Sequence, residues 1–124
     1  AAIVGFTGHV LFDLIYTDHL WLSWALSSGA LGFVFGFAIR RKSLRQGVFS
    51  QHDMVRFNVV QAVVNIAIFG LIAPTLDVLF YQSSTAVVFT QGWIVSIINL
   101  LTVAIFGTIT LKLYANYKLK QNKQ

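Results

Sequence analysis

The chain is 124 residues long, 56% hydrophobic and 10% charged, with one proline and no cysteine. That balance excludes an ordinary soluble domain of this size, and the lack of cysteine excludes a disulfide framework, a thiolate metal site and a cysteine nucleophile. The net charge of +5 does not point to nucleic acid, because the basic residues sit at the ends of apolar runs and not on a solvated patch interleaved with polar or aromatic groups.

The predicted elements are all helices. The first apolar segment, residues 1–16, lacks a charged or aromatic flank and the basic start and cleavage site of a signal peptide. The chain is therefore expected to begin within a helix, with further segments ahead of it. His9 and Asp13 stand one turn apart on this segment, Asp13 nearer the outer end. The adjacent carboxylate favours an imidazolium and burial opposes it, so both charge states stay open. The pair is either a polar helix end meeting water or the rim of an external site. With no third His or Glu on the same face, no metal site is predicted.

The second segment, residues 21–39, carries Ser28, Gly32 and Gly36 at four-residue spacing, a small-residue stripe along which a neighbouring helix can approach closely in lipid. Trp24, one turn in, is read as an interfacial anchor or as the wall of a pocket. The connection RKSLRQGVFSQHD is read as the one true loop, with Ser50 or Asp53 as N-cap of the next helix. The third segment, residues 54–80, holds Asn58, Gln61 and Asn65, which share one helical face. The connection DVLFYQSSTAVVFTQ is expected to lie against the membrane surface or over the bundle. The fourth segment, residues 91–113, carries Gln91 at its outer end and Asn99 further in. A span needs about 20 residues, so the last three segments qualify and the first is short.

All nine Lys and Arg flank two connections on one side: Arg40, Arg41, Lys42, Arg45 and Arg56 around the second, and Lys112, Lys118, Lys120 and Lys123 after the fourth segment. By the positive-inside rule that side, with the C-terminus, is cytoplasmic. At about 1.5 Å per residue, Asn65 lies roughly 13 Å below Pro74, Asn99 roughly 12 Å below Gln91, Ser28 about 10 Å below Trp21 and His9 about 9 Å below Tyr16. Polar groups of four segments thus fall in one layer of the outer half. A lipid-facing amide would have no partner, so these groups are expected to face each other, water or a ligand. Interhelical glue is the plainer alternative for Asn65 and Asn99, and Asn58 reads as interfacial.

Catalytic signatures are thin: the chain has no Glu, no GxSxG, no phosphate-cradling glycine loop and no dinucleotide fingerprint. No enzyme and no cofactor is predicted. A channel would need a polar stripe reaching both faces, and below Asn99 the fourth segment offers mostly Ile, Leu, Val and Phe apart from Thr102.

The order GFTGHVLFD, WLSWALSSGALGFVFGF, a basic inner loop, DMVRFNVVQAVVNIAIFGLIAPTLDVLFY and VFTQGWIVSIINLLTVAIFGTITL resembles the substrate-binding S-component of energy-coupling-factor (ECF) vitamin transporters, most closely the riboflavin-transporter-like S-component family. RFNVVQ, LIAPTLD and FTQG are its most specific stretches. The resemblance implies an all-α integral membrane bundle, here about four transmembrane helices of an expected six, forming a single domain over residues 1–124. It also implies high-affinity capture, outside a bacterial cell, of a water-soluble vitamin or precursor: riboflavin, pyridoxine or a hydroxymethylpyrimidine-like compound. ATP-driven uptake would then need a transmembrane coupling subunit and two ATP-binding subunits. The first two family helices, with the AxxxA coupling face, have no counterpart in the sequence. Family sites map onto Trp24, Ser28, Asn65, Gln91 and Asn99, with His9 or Asp13 at the mouth. The alternative is a structural or assembly membrane subunit without a small-molecule ligand.

Overall fold

The computed structural model describes residues 1–39 and 42–122. Arg40, Arg41 and Lys123, which enter the charge argument above, lie outside the described residues, as does the side chain of Lys42. The described residues form no strand. The fold is an all-α membrane bundle: α1 (Ala2–Tyr16), α2 (Leu22–Ala38), a short α3 (Lys42–Arg45), and two long apolar helices, α4 (Gln51–Tyr81) and α5 (Thr85–Gln121).

α1 and α2 form an antiparallel pair, closed at the top by a short connection. Thr17 N and Oγ1 both donate to the carbonyl of Asp13, each over 2.9 Å, which ends α1 and turns the chain. Small residues set the spacing of the pair. A methyl group on Gly5 would collide with the Ser28 carbonyl and one on Gly32 with the backbone of Ala1, so the stripe of Ser28, Gly32 and Gly36 faces α1.

α4 starts at a capping box: Ser50 Oγ accepts from Asp53 N at 3.1 Å while the Asp53 carboxylate accepts from Ser50 N at 3.2 Å. The helix then runs past Pro74 without breaking. Proline supplies no N–H and its ring crowds the carbonyl one turn earlier. The preceding stretch, Ile66–Ile72, winds as a π-helix, with Ala73 N bonded to the Ile68 carbonyl, and this wider turn accommodates the ring. Gln82, in the left-handed region at φ 51°, stops α4.

The two long helices outrun the segments expected from hydropathy. α4 spans Gln51–Tyr81 where residues 54–80 were expected, and α5 begins at Thr85 where residue 91 was expected. The stretch expected as a membrane-surface connection is helix on both sides of the turn Gln82–Ser84. Its apolar residues can continue the helical backbone bonding in lipid, where an open loop would leave amides unpaired.

α4 is the central element. Its buried face runs Phe57, Gln61, Asn65, Phe69, Ala73 and Asp77, four residues apart. The core of Ile68, Phe69 and Ala73 takes Trp24 and Leu31 from α2 and Val95 from α5. At the other end Leu44 of α3 is buried and Gly47, at φ 83°, lies against the backbone of Leu119, which docks the basic connection onto the end of α5. Helix direction therefore puts Arg45, Arg56, Lys112, Lys118 and Lys120 toward one end of the bundle, and the α1–α2 and α4–α5 turns at the other.

Candidate functional site

At the end remote from the basic residues, α1, α2, α4 and α5 surround a cavity of about 240 Å³ lined by His9, Phe12, Asp13, Trp21, Trp24, Asp77 and Gln91, among others. Each wall has a local reason for its position. Asp13, the last turn of α1, is 3% exposed; its Oδ2 accepts from Trp21 N at 2.8 Å and so fastens the start of α2 to the end of α1. His9, one turn below, places Nε2 3.7 Å from Asp13 Oδ1 and Nδ1 3.2 Å from Ser28 Oγ. The imidazole is thereby held between the two helices, and its tautomer is set by its neighbours, since the Asp13 carboxylate only accepts while the Ser28 hydroxyl can donate or accept.

Asp77 forms the opposite wall. It is 1% exposed, and its two oxygens are shared between helices: Oδ1 accepts from Ser23 Oγ, and Oδ2 accepts from the Trp24 indole N–H at 2.6 Å. A carboxylate buried in a membrane bundle is costly unless bonded, and these two donors from α2 meet that cost. The same bond fixes the indole plane, which stacks on Phe69 with centroids 5.8 Å apart. Trp24 is thus a rigid aromatic floor between a carboxylate and the core. Trp21 packs edge-on against Tyr81, centroids 5.3 Å apart, near the outer end. Gln91 is exposed on α5 and completes the lining.

The chemistry of this hollow is specific. Two carboxylates accept, an imidazole and a primary amide can donate or accept, and two indoles offer flat apolar faces. Such a site suits a flat, polar-edged molecule rich in N–H or O–H donors. Among the described residues no group of three or more His, Asp or Glu could hold a metal ion.

Of the residues singled out in the sequence, His9, Asp13, Trp24 and Gln91 meet at the cavity. Ser28, Asn65 and Asn99 are not among its lining residues. Ser28 sits behind His9. Asn65 is fully buried, and its Nδ2 donates to Gln61 O at 2.9 Å and Gln61 Oε1 at 3.1 Å. Asn99 is half-buried on α5. Asn58 and Gln61 tie the long helices together, Asn58 Nδ2 to Thr108 Oγ1 at 3.0 Å and Gln61 Nε2 to the Leu100 carbonyl at 3.2 Å. Asp77 is a lining residue that the sequence reading did not count among the site candidates. Its signal was legible: a lone acid inside the apolar run LIAPTLDVLF, which is expensive in lipid and needs partners.

The family described as "ECF-type riboflavin transporter, S component" matches residues 1–116. A UPF0397 protein of Lactococcus lactis subsp. cremoris is 43% identical over 118 residues, covering 95% of this chain and 65% of its own length. A UPF0397 protein of Enterococcus faecalis is 44% identical over 119 residues, covering 96% and 65%. One from Staphylococcus aureus is 39% identical over 119 residues with the same coverage. The chain thus spans just under two thirds of the length of these curated relatives. No solved structure matches it significantly.

Proposed function

Because the chain belongs to the ECF-type riboflavin transporter S component family, we propose that it contributes the substrate-capturing site of a vitamin importer in a bacterial cell membrane. The ligand is a water-soluble vitamin or precursor with a heteroaromatic ring: riboflavin, pyridoxine or a hydroxymethylpyrimidine-like compound. Energy comes from partners, a transmembrane coupling subunit and two ATP-binding subunits. The basic end of the bundle, with the C-terminus, faces the cytoplasm, and the cavity opens outward.

The observation that carries this reading is the convergence of His9, Asp13, Trp24, Asp77 and Gln91 on one hollow at the end away from the basic residues. The Trp24 face supports the ring, and Trp21 walls it. Asp13 and Asp77 accept from ring N–H or side-chain O–H groups with their remaining lone pairs, and Gln91 reads the outer edge. Each buried polar group left unmatched by a wrong ligand costs about 1–3 kcal/mol, which supplies selectivity. Ser28 serves by holding His9, while Asn65 and Asn99 act beneath the site.

The test is mass spectrometry of the small molecule that copurifies with the full-length protein. A vitamin-class heteroaromatic compound that also raises the melting temperature on re-addition is the expected result. No retained compound, together with no vitamin-dependent thermal shift, would assign the chain to a structural or assembly role instead.

A further inference from the structure

The outer cavity has a charge character that its shape does not require. Two carboxylates, Asp13 and Asp77, line it, and among the described residues no Lys or Arg does. The other ionisable group of the lining is His9, so with both carboxylates ionised the wall stays net negative whether the imidazole is neutral or protonated. The hydrogen bonds already made do not cancel that charge. Asp13 Oδ2 accepts from Trp21 N, Asp77 Oδ2 from the Trp24 indole and Asp77 Oδ1 from Ser23 Oγ, and all three donors are neutral. Asp13 Oδ1 meets His9 Nε2 at 3.7 Å, beyond hydrogen-bond distance.

Counter-charges elsewhere in the bundle are distant. At about 1.5 Å per residue, Arg56 lies roughly 30 Å below Asp77 on α4, and Lys112 as far below Gln91 on α5. The positive end of α2, which starts at Leu22, is met by Asp13 through Trp21 N. The aromatic walls carry the same preference as the carboxylates. Trp21 and Trp24 bring indole rings to the lining, and an indole face attracts a cation. The Trp24 N–H donates to Asp77, which polarises that ring further toward a negative face. A carboxylate supplies charge and the indole beside it replaces water around a weakly hydrated organic nitrogen, so the two together suit a flat organic cation. A phosphate or carboxylate in the same place would meet two like charges and no guanidinium or ammonium.

We propose that this hollow selects its ligand for positive charge: among vitamin-class heteroaromatic compounds it takes one that bears an ammonium group or a positively charged ring nitrogen, and it rejects the phosphate ester of the same ring. Asp77 and Asp13 supply the negative charge, and Trp24 and Trp21 the faces. The inference rests on the vitamin-binding reading and narrows it from a class of shape to a class of charge.

The experiment is isothermal titration calorimetry of the purified full-length protein with matched probes. Pyridoxine, pyridoxamine and pyridoxamine 5′-phosphate share one ring and offer a hydroxyl, an ammonium and an added phosphate. Hydroxymethylpyrimidine, its aminomethyl analogue and its phosphate do the same on a second ring, and riboflavin and flavin mononucleotide add a neutral and an anionic flavin. The ammonium compound of a ring that binds is expected to bind at least about tenfold tighter than its neutral relative, and the phosphate not at all. Asp77→Asn and, separately, Asp13→Asn should erase that preference by weakening the ammonium compound while the neutral one stays within about twofold. If one variant fails to fold, the other and the wild-type order still decide. A neutral compound or a phosphate bound as tightly as the ammonium compound, binding of the flavins alone, or a preference intact in the Asn variants would overturn the charge inference and leave the vitamin-binding reading standing. No binding in any series would defeat both.

Discussion

The outer and middle levels of this bundle handle buried polarity in opposite ways. At the outer end the polar groups are two carboxylates and an imidazole, held from behind by Trp21 N, Ser23, Trp24 and Ser28 and turned toward a hollow. In the middle they are neutral amides, Asn58, Gln61 and Asn65, bonded to α4 itself and to α5. Charge borders the hollow, and the amides lie below it between the helices. In a membrane the two arrangements follow from cost, since burying a neutral amide costs less than burying a carboxylate, which needs several donors. The polar residues of one apolar helix, α4, therefore divide into a site wall and a ladder of interhelical ties.

Substitutions should separate the two levels. Asp77→Ala strands Ser23 and Trp24 as buried unpaired donors, so it should lower stability by about 2–4 kcal/mol and weaken ligand binding by at least about tenfold. Thermal denaturation and equilibrium binding with a panel of riboflavin, pyridoxine and hydroxymethylpyrimidine would register both losses. Loss of stability with unaltered affinity would detach Asp77 from the site. Gly92→Ala pushes a methyl into the Phe69 carbonyl and the Pro74 ring, where the level of the cavity meets that of the ladder. It should cost about 1–3 kcal/mol by overpacking, whereas Gly8→Ala, with nothing within 4 Å, should be neutral or better. Paired melting curves of the two variants test this.

Gln61→Leu is the sharper probe of the middle level. It removes the bond to Leu100 and one partner of Asn65, and should cost about 1–2 kcal/mol while leaving ligand affinity within about twofold. An affinity loss as large as that of Asp77→Ala would erase the distinction between the levels. The smallest effect is expected at the capping box: Ser50→Ala should cost about 1 kcal/mol with no change in binding.

Much of this was legible in the residues, and the exceptions have physical causes. Apolar runs marked all four main helices, and the stretch holding Ser50 and Asp53 marked the start of α4, because both signals are local. Helix length was less legible. Hydropathy carried the third segment to residue 80, close to its end at Tyr81, but began the fourth at residue 91, whereas α5 begins at Thr85. That error displaced the depth scale: counted from Pro74 and Gln91, Asn65 and Asn99 seemed level with the mouth residues, whereas α4 and α5 continue well above both points. The register between helices is a tertiary property that no single segment encodes. His9, Asp13 and Trp24 line the hollow because they lie close to turns whose position the sequence does mark. Asp77 was hidden by being assigned to a connection.

The central claim is that the outer hollow, and not the amide layer beneath it, holds the ligand. Ligand titration of the purified full-length protein, followed by tryptophan fluorescence, tests it most directly when Trp24→Phe and Gln91→Ala are run beside Asn65→Ala and Asn99→Ala. The account predicts that the first pair weakens binding by about tenfold or more and that Asn99→Ala leaves it nearly unchanged, with Asn65→Ala acting mainly on stability. Full affinity in Trp24→Phe and Gln91→Ala, with binding abolished in a folded Asn99→Ala protein, would contradict it.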